Sequence, residues 1–253
     1  MKHTILFALA CSLALSLFFS ASAQSTGGKS VVEILKATDL VRGGGMAGVQ
    51  WDLQITAADA DTGANIRKLR VRASGENSLA ETTFPTRAAG GKLLQLGRNM
   101  WYGRPDIQKA ISISSRQKLA GPAANGDIAS TNYSKDYEAK LLRMDSFEGE
   151  PVYVLSLEAK SRFVTYDKIV YWVSEKRLVP VKAEFFTVSG KLFKTAVFEI
   201  KNTIDMKGKK SPFISRMTIR DSYDNNNVST LEYSNVRVAT FPLDIFSVAG
   251  LTR

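Results

Sequence analysis

Apolar and polar residues alternate along most of this chain from residue 49 onwards, and this period of two constrains the fold more than any other feature. Val49, Trp51, Leu53 and Ile55 alternate with polar residues, and residues 69–73 repeat the pattern with a basic second face. Turns rich in Gly, Asn and Pro separate these segments at hairpin spacing. The pattern predicts about ten or eleven antiparallel strands, each with one apolar and one wet face.

Three of the predicted strands carry a tryptophan, namely Trp51, Trp101 and Trp172. Trp101 belongs to residues 92–113, where short apolar runs are separated by turns at Gly97 and Pro105. Strands that each carry a large aromatic side chain indicate a curved sheet around an apolar interior. Either the chain's own side chains or a ligand fills that interior, and this distinction decides the function.

One amphipathic helix is predicted before the first strand, over residues 31–42. Ser30 and Glu33 have the spacing of a capping box, and the glycines at 43–45 end the helical pattern. Val31, Ile34, Leu35 and Val41 form one apolar face, which we expect to lie against the sheet.

Residues 114–136 interrupt the alternation. They are poor in large apolar side chains and rich in Gly, Ala, Ser and Asn. Loops of this length are either functional lids or disordered connectors, and the composition is compatible with both.

The first 23 residues have the features of a secretory signal peptide. A short basic start precedes an apolar run over residues 5–19, and Ala21, Ser22 and Ala23 form a small-residue cleavage site. A retained membrane anchor is the alternative. We therefore expect residues 24–253 to form a single exported domain in the periplasm.

Removal of that segment excludes several classes of chemistry. The only histidine is His3 and the only cysteine is Cys11, so the mature chain has neither residue. Catalysis that depends on histidine or cysteine, zinc sites built on these residues and disulfides are then excluded. We predict no cofactor, no metal site and no enzymatic activity. The formal charge of +10 favours anionic surfaces, but the chain has no nucleic-acid-binding motif.

Two motif matches carry little weight. Residues 43–48 fit G-x-G-x-x-G, but a predicted helix precedes them and a strand follows, which is the reverse of a dinucleotide site. Ser115 and Lys118 form S-x-x-K, Ser130 and Asn132 form S-x-N, and Lys194 begins a near match to K-T-G. A serine acyl-enzyme of the penicillin-binding type is only a remote alternative. The first two motifs are too close together for the helical domain between them, the glycine of the third motif is missing, and the chain has one predicted helix where that fold needs many.

The order and spacing of the segments resemble the outer-membrane lipoprotein-sorting proteins of the LolA-like group. The resemblance covers most of the mature chain, although residues 126–130 lack the acidic and aromatic character of that family. The matching segments are residues 77–79, 84–85, 93–96, 98–102, 104–115, 149–157, 168–173, 178–186, 190–192 and 246–247.

This resemblance implies a mainly β fold, with a strongly curved antiparallel sheet that forms an incomplete barrel closed by the N-terminal helix and the long loop. It implies a periplasmic carrier of lipid or lipoprotein acyl chains, with an inner-membrane transporter and a membrane acceptor as partners. The alternative is an interaction module that accompanies an envelope transporter without holding lipid, which a filled interior would favour. The inward residues predicted to line a lipid-binding cavity are Trp51, Leu53, Val71, Leu96, Trp101, Ile111, Leu155, Tyr171, Val173 and Phe185.

Overall fold

The computed structural model describes residues 28–59, 63–206 and 208–252. The predicted signal peptide lies outside these residues. Two α-helices are present in the described part of the chain, α1 (Val31–Val41) and α2 (Tyr133–Asp136). The strands are β1 (Val49–Asp59), β2 (Gly63–Ser74), β3 (Asn77–Phe84), β4 (Lys92–Leu96), β5 (Asn99–Gly103), β6 (Ile111–Ile113), β7 (Lys118–Ala120), β8 (Ala123–Ala124), β9 (Tyr137–Phe147), β10 (Glu150–Ala159), β11 (Lys168–Ser174), β12 (Pro180–Phe186), β13 (Leu192–Glu199), β14 (Asn202–Met206), β15 (Lys209–Phe213), β16 (Arg216–Asp221) and β17 (Val228–Val238).

Helix α1 forms as predicted and ends one residue earlier than expected. The Ser30 side chain accepts a hydrogen bond from the Glu33 N–H at 3.2 Å, and the Glu33 carboxylate accepts one from the Ser30 N–H at 2.7 Å. This capping box satisfies two of the N–H groups that the first turn leaves unpaired. Ile34 and Leu35 are fully buried against the sheet, so the predicted apolar face is confirmed.

Thirteen strands form one antiparallel sheet in the order β6-β5-β4-β3-β2-β1-β17-β16-β13-β12-β11-β10-β9. Strands β6 and β9 lie at the two ends of that order, so the barrel is not closed. The expected count of ten or eleven strands was too low. Several of the additional strands, such as β7 and β8, have only two or three residues, and alternation cannot be recognised over so short a length.

The sheet curves so that inward side chains from both halves meet in one cluster. Trp51 of β1 lies opposite Val71 of β2, and Leu155 of β10 lies opposite Tyr171 of β11. All four belong to the main core, together with inward residues of β12, β13, β16 and β17. This arrangement confirms the mainly β, strongly curved fold.

Three pieces of chain cover the concave face. Helix α1 packs on it, and residues 114–136, with β7, β8 and α2, form what we call the cover segment. The β14–β15 hairpin closes a third part through Ile204 and Phe213, and the Phe213 ring lies 5.7 Å from that of Trp51. The cover segment is ordered and buried over residues 122–125 and 127–133, so the expectation of a disordered connector is wrong.

Candidate functional site

Seven of the ten residues predicted to line a cavity lie in the main core under this cover. They are Trp51, Leu53, Val71, Leu155, Tyr171, Val173 and Phe185, and each is at most 1% exposed. Their convergence on one face follows from strict alternation in strands β1, β2, β10, β11 and β12.

Two of the other three predicted residues do not face the interior. Leu96 and Trp101 pack with Leu94 on the outer face, under the C-terminal segment that includes Phe246. In β4 it is Leu93 that joins the main core. Because both faces of β4 are covered, its apolar run does not reveal which residues point inward. Ile111 pairs with Tyr102 on the concave side of the sheet, but it lies on the edge strand β6 and is 56% exposed.

In this state the chain's own side chains fill the concave interior. The largest fully buried side chains include Trp51, Tyr171 and Phe185 from the sheet, and Ile128 reaches them from the cover segment. Tyr133 of α2 places its ring 5.5 Å from that of Tyr171, near edge-to-face. A bound acyl chain would therefore have to take the place of the cover segment.

The cover segment is buried mainly through small side chains. Ala120, Ala123, Ala124, Ala129 and Ser130 are all at most 7% exposed. Each alanine removes little apolar area from water, so lifting the segment exposes less hydrocarbon than lifting a leucine-rich one would.

Two glycines permit the cover segment to lie this close. A Cβ atom at Gly44, just after α1, would overlap the carbonyl oxygen of Thr131. A Cβ atom at Gly126 would overlap the hydroxyl of Thr165 in the β10–β11 loop. The absence of side chains at these positions sets the close approach.

A buried carboxylate joins the cover segment to α1. Asp39 accepts hydrogen bonds from the N–H groups of Tyr133 at 2.8 Å and Ser134 at 2.9 Å, so it caps the start of α2. Burial raises the pKa of Asp39 from 3.8 to about 6, although the hydrogen bonds from Ser134 and Tyr133 and the charge of Arg42 oppose that rise.

A second buried carboxylate holds the middle of the cover segment. Both oxygens of Asp127 lie 2.8 Å from the Tyr166 hydroxyl, which donates to them, and one accepts from the Ala124 N–H at 2.8 Å. Ser229 of β17 donates to the carbonyl of Ala120 at 2.7 Å. These hydrogen bonds, together with the ion pairs Arg116–Asp167 and Arg98–Asp136, fix a segment whose large buried apolar side chains are Ile128 and Tyr133.

Arg42 is a buried cation beneath the contact between Asp39 and Tyr133. Its guanidinium carbon lies 5.2 Å from the ring centroids of both Tyr133 and Phe198. Its Nη1 and the hydroxyl of Tyr171 are buried without a hydrogen-bond partner among the described protein atoms. The core beneath the cover segment therefore contains polar groups that a ligand's own polar atoms could satisfy.

Sequence reasoning missed Asp39, Arg42 and Asp127. A signal was available for the first two, since Asp39 lies four residues after Leu35 and Arg42 seven, on the apolar stripe of the predicted helix. A charged side chain on such a stripe indicates a buried polar contact. Asp127 lies in a segment without regular periodicity and gave no such signal.

Several cavities open at the rim of the sheet. One of about 450 Å³ lies between the cover segment and the β12–β13 turn and is lined by Arg116, Thr165, Tyr166, Asp167, Thr187, Val188, Ser189, Phe193 and Lys194. A groove of about 660 Å³ adjoins it and shares Asp167, Thr187, Val188 and Ser189. A third, of about 280 Å³, lies beside the edge strand β6. The first two fall in the size range of small-ligand sites.

The residues of the serine acyl-enzyme motif are not arranged on a helix. Ser115 lies in a turn and donates to the carbonyl of Phe163 at 3.2 Å, whereas Lys118 lies on β7. Within the described ranges, no group of three or more His, Cys, Asp or Glu side chains is placed to hold a metal ion. No helix in those ranges is both long and apolar enough to cross a membrane.

A covered, open half-barrel of this kind defines a class to which several solved structures belong. The crystal structure of a LolA superfamily protein from Nitrosomonas europaea is 35% identical, with a TM-score of 0.75 over 85% of this chain and 96% of the other. One family model, described as an uncharacterized protein, matches residues 74–253. The chain belongs to the LolA superfamily.

Two more distant structures share the fold. A domain of Vibrio parahaemolyticus, assigned to the outer membrane lipoprotein-sorting proteins, is 20% identical with a TM-score of 0.73, over 88% of this chain and 98% of the other. A DUF1329 family protein of Desulfovibrio piger is 18% identical with a TM-score of 0.71, over 87% and 97% of the two chains. A search among curated proteins finds no significant match.

Proposed function

We propose that this protein is a periplasmic carrier, without enzymatic activity, that shelters an acyl chain of a lipid or lipoprotein on its concave face. The observation that carries the proposal is the pairing of a largely apolar inner wall with a cover segment that is buried mainly through small side chains. The LolA superfamily membership supports the same function and the periplasmic location. An inner-membrane transporter as donor and a membrane acceptor complete the proposed route.

The energetics allow such an exchange. Burial of a sixteen-carbon chain contributes on the order of 12 kcal/mol, at about 0.8 kcal/mol for each methylene group. Lifting the cover segment breaks the bonds of Asp39, Asp127 and Ser229 and the ion pairs Arg116–Asp167 and Arg98–Asp136, at about 1 kcal/mol net for each hydrogen bond and more for the charged ones. It also exposes several alanines, Ile128 and the Tyr133 ring. The acyl chain then lies against the part of the inner wall that the side chains of the cover segment contacted before.

Native mass spectrometry of gently purified protein, together with titration of a fluorescent fatty-acyl probe, tests this function. We expect co-purified lipid or saturable uptake of the probe. Asp39→Ala, which removes the cap of α2, should increase the rate of uptake, whereas Asp145→Ala on the outer part of β9 should not. The proposal would be contradicted if neither the wild type nor Asp39→Ala carried lipid or took up the probe.

The filled interior favours a second function. In this alternative the protein is an interaction module that accompanies an envelope transporter, and the cover segment is permanent. The same titration separates the two functions, because a permanent cover allows no probe to reach the wall even when Asp39 is replaced.

A further inference from the structure

Lys194 is a buried cation on the concave face without an acceptor of its own. It lies on β13 on the same side as Ala196 and Phe198, both of which belong to the main core, and it is only 6% exposed. A lysine at a core-facing position of a strand is costly unless something compensates its charge. Its ammonium lies 5.3 Å from the Tyr166 ring centroid and 5.4 Å from that of Phe193.

The two carboxylates that attract Lys194 electrostatically are engaged elsewhere. Asp127 accepts from the Tyr166 hydroxyl and the Ala124 N–H. Asp221, directly opposite Lys194 on β16, accepts from the Tyr223 N–H at 2.8 Å within its own turn. Among the described residues, no carboxylate lies within ion-pair distance of the Lys194 ammonium. Burial lowers the pKa of this group, and the charges of Asp127 and Asp221 partly offset that effect.

Lys194 lines the rim cavity of about 450 Å³, and its neighbours there are mostly uncharged. Tyr166, Phe193 and Val188 supply apolar wall. The two other charged residues neutralise each other, since the Arg116 guanidinium binds Asp167 through two bonds of 2.7 Å. The adjoining groove adds Lys160, Arg162 and Lys168 against Glu158, so its outer part is also basic.

We propose that this cavity binds the anionic head of an amphiphile, with a phosphate or carboxylate on the Lys194 ammonium and the adjoining alkyl chain along Tyr166, Phe193 and Val188. An ammonium that lacks a carboxylate partner and lines a largely apolar cavity selects a ligand that is both charged and apolar. This inference rests on the proposed carrier function and specifies its ligand as an anionic amphiphile.

Isothermal titration calorimetry with dodecyl phosphate, below its micelle concentration, tests the site. Uncharged monododecanoyl glycerol and inorganic phosphate are the comparison ligands. We expect dodecyl phosphate to bind at least about tenfold more tightly than either, because the charged bond and the apolar contacts are both needed. Equal affinity for monododecanoyl glycerol would overturn the role of the charge, and equal affinity for inorganic phosphate would overturn the role of the alkyl chain.

Two variants assign the binding to this cavity. Lys194→Met should weaken dodecyl phosphate at least about tenfold, whereas Lys194→Arg should restore most of the affinity. Val188→Glu adds a negative charge at a position that is 84% exposed, so it should weaken the binding of dodecyl phosphate with little change in the melting temperature. Lys140→Met, exposed on β9, is the matched control and should change the affinity less than about twofold. Unchanged binding in both Lys194→Met and Val188→Glu would overturn the proposal.

The failure of this site and the failure of the carrier function have different signatures. If uptake of the fatty-acyl probe depended neither on the charge of its head group nor on Lys194, the carrier function would stand and this site would be overturned. Binding of dodecyl phosphate through Lys194, with no lipid co-purified and no probe on the concave wall, would support this site and contradict the carrier function.

Discussion

The carboxylate of Asp39 caps the helix that begins at Tyr133, with 2.8 Å between its Oδ1 and the Tyr133 N–H. This bond links the N-terminal helix to the cover segment across 94 residues of sequence. The contact therefore joins two of the three pieces that close the concave face, and its charge state influences how firmly they are joined.

The first prediction concerns pH. Because burial raises the pKa of Asp39 from 3.8 to about 6, the native state binds more protons than the unfolded state between these two values. The contribution of Asp39 to stability is therefore full below pH 3.8 and is lost as the pH rises through 6. We expect the stability of Asp39→Asn relative to the wild type to increase by about 2 kcal/mol between pH 4 and 7.5, at about 1.4 kcal/mol for each pKa unit.

Urea denaturation across this pH range measures the difference. Asp145→Asn is the control, because the Ser146 N–H and Arg143 lower the pKa of this exposed carboxyl, and its contribution has the opposite sign. A relative stability of Asp39→Asn that stayed constant or decreased with pH would contradict the assignment.

The second prediction concerns the contact between α1 and the cover segment. Gly44→Ala should lower the free energy of unfolding by about 2 kcal/mol or more, because the new methyl group would overlap the Thr131 carbonyl and neither backbone can easily move. Gly45→Ala is the matched control. Its Cβ atom meets nothing, and its φ of +69° costs only about 1 kcal/mol.

Limited trypsin digestion shows which part of the chain becomes accessible to the protease in these variants. Faster cleavage after Arg116 and Lys118 in Gly44→Ala, but not in Gly45→Ala, is the expected result. Identical digestion of the two variants would show that the close approach at Gly44 does not hold the cover segment.

The third prediction concerns the Tyr166–Asp127 bond. Tyr166→Phe leaves the buried Asp127 carboxylate with only the Ala124 N–H and should cost about 2–3 kcal/mol, because the unpaired group is charged. Tyr137→Phe removes a bond of 3.0 Å to the Tyr166 carbonyl and should cost about 1 kcal/mol. Thermal and urea unfolding of both variants give the comparison, and equal losses would argue against a charged acceptor at Asp127.

The sequence predicted the sheet well because alternation records burial directly. Trp51 and Leu53 point inward, and their polar neighbours Gln50, Asp52 and Gln54 mark the solvent side, whereas Tyr171 and Val173 lie on a strand that is apolar on both faces. The same reasoning fails for Leu96 and Trp101. The C-terminal segment buries the outer face of β4 and β5, so the residues on that face are apolar and no longer distinguish it from the inner face. No local pattern reports a face that a distant segment covers.

The cover segment could not be placed from its own residues. Its contacts depend on the absence of side chains at Gly44 and Gly126 and on carboxylates whose partners are distant in sequence, such as Asp39 with Tyr133. Lys194 was not predicted to face the core either, because Phe193 and Val197 make the opposite face of β13 equally apolar in the sequence.

The central claim is that the cover segment leaves the concave wall when hydrocarbon binds there. Hydrogen–deuterium exchange of the protein with and without a saturating fatty-acyl ligand tests it most directly. We expect the amides of residues 123–134, including those of Tyr133 and Ser134 bound by Asp39, to lose protection while the strands β10 to β13 keep theirs. Ligand binding that leaves the protection of these amides unchanged would contradict the account.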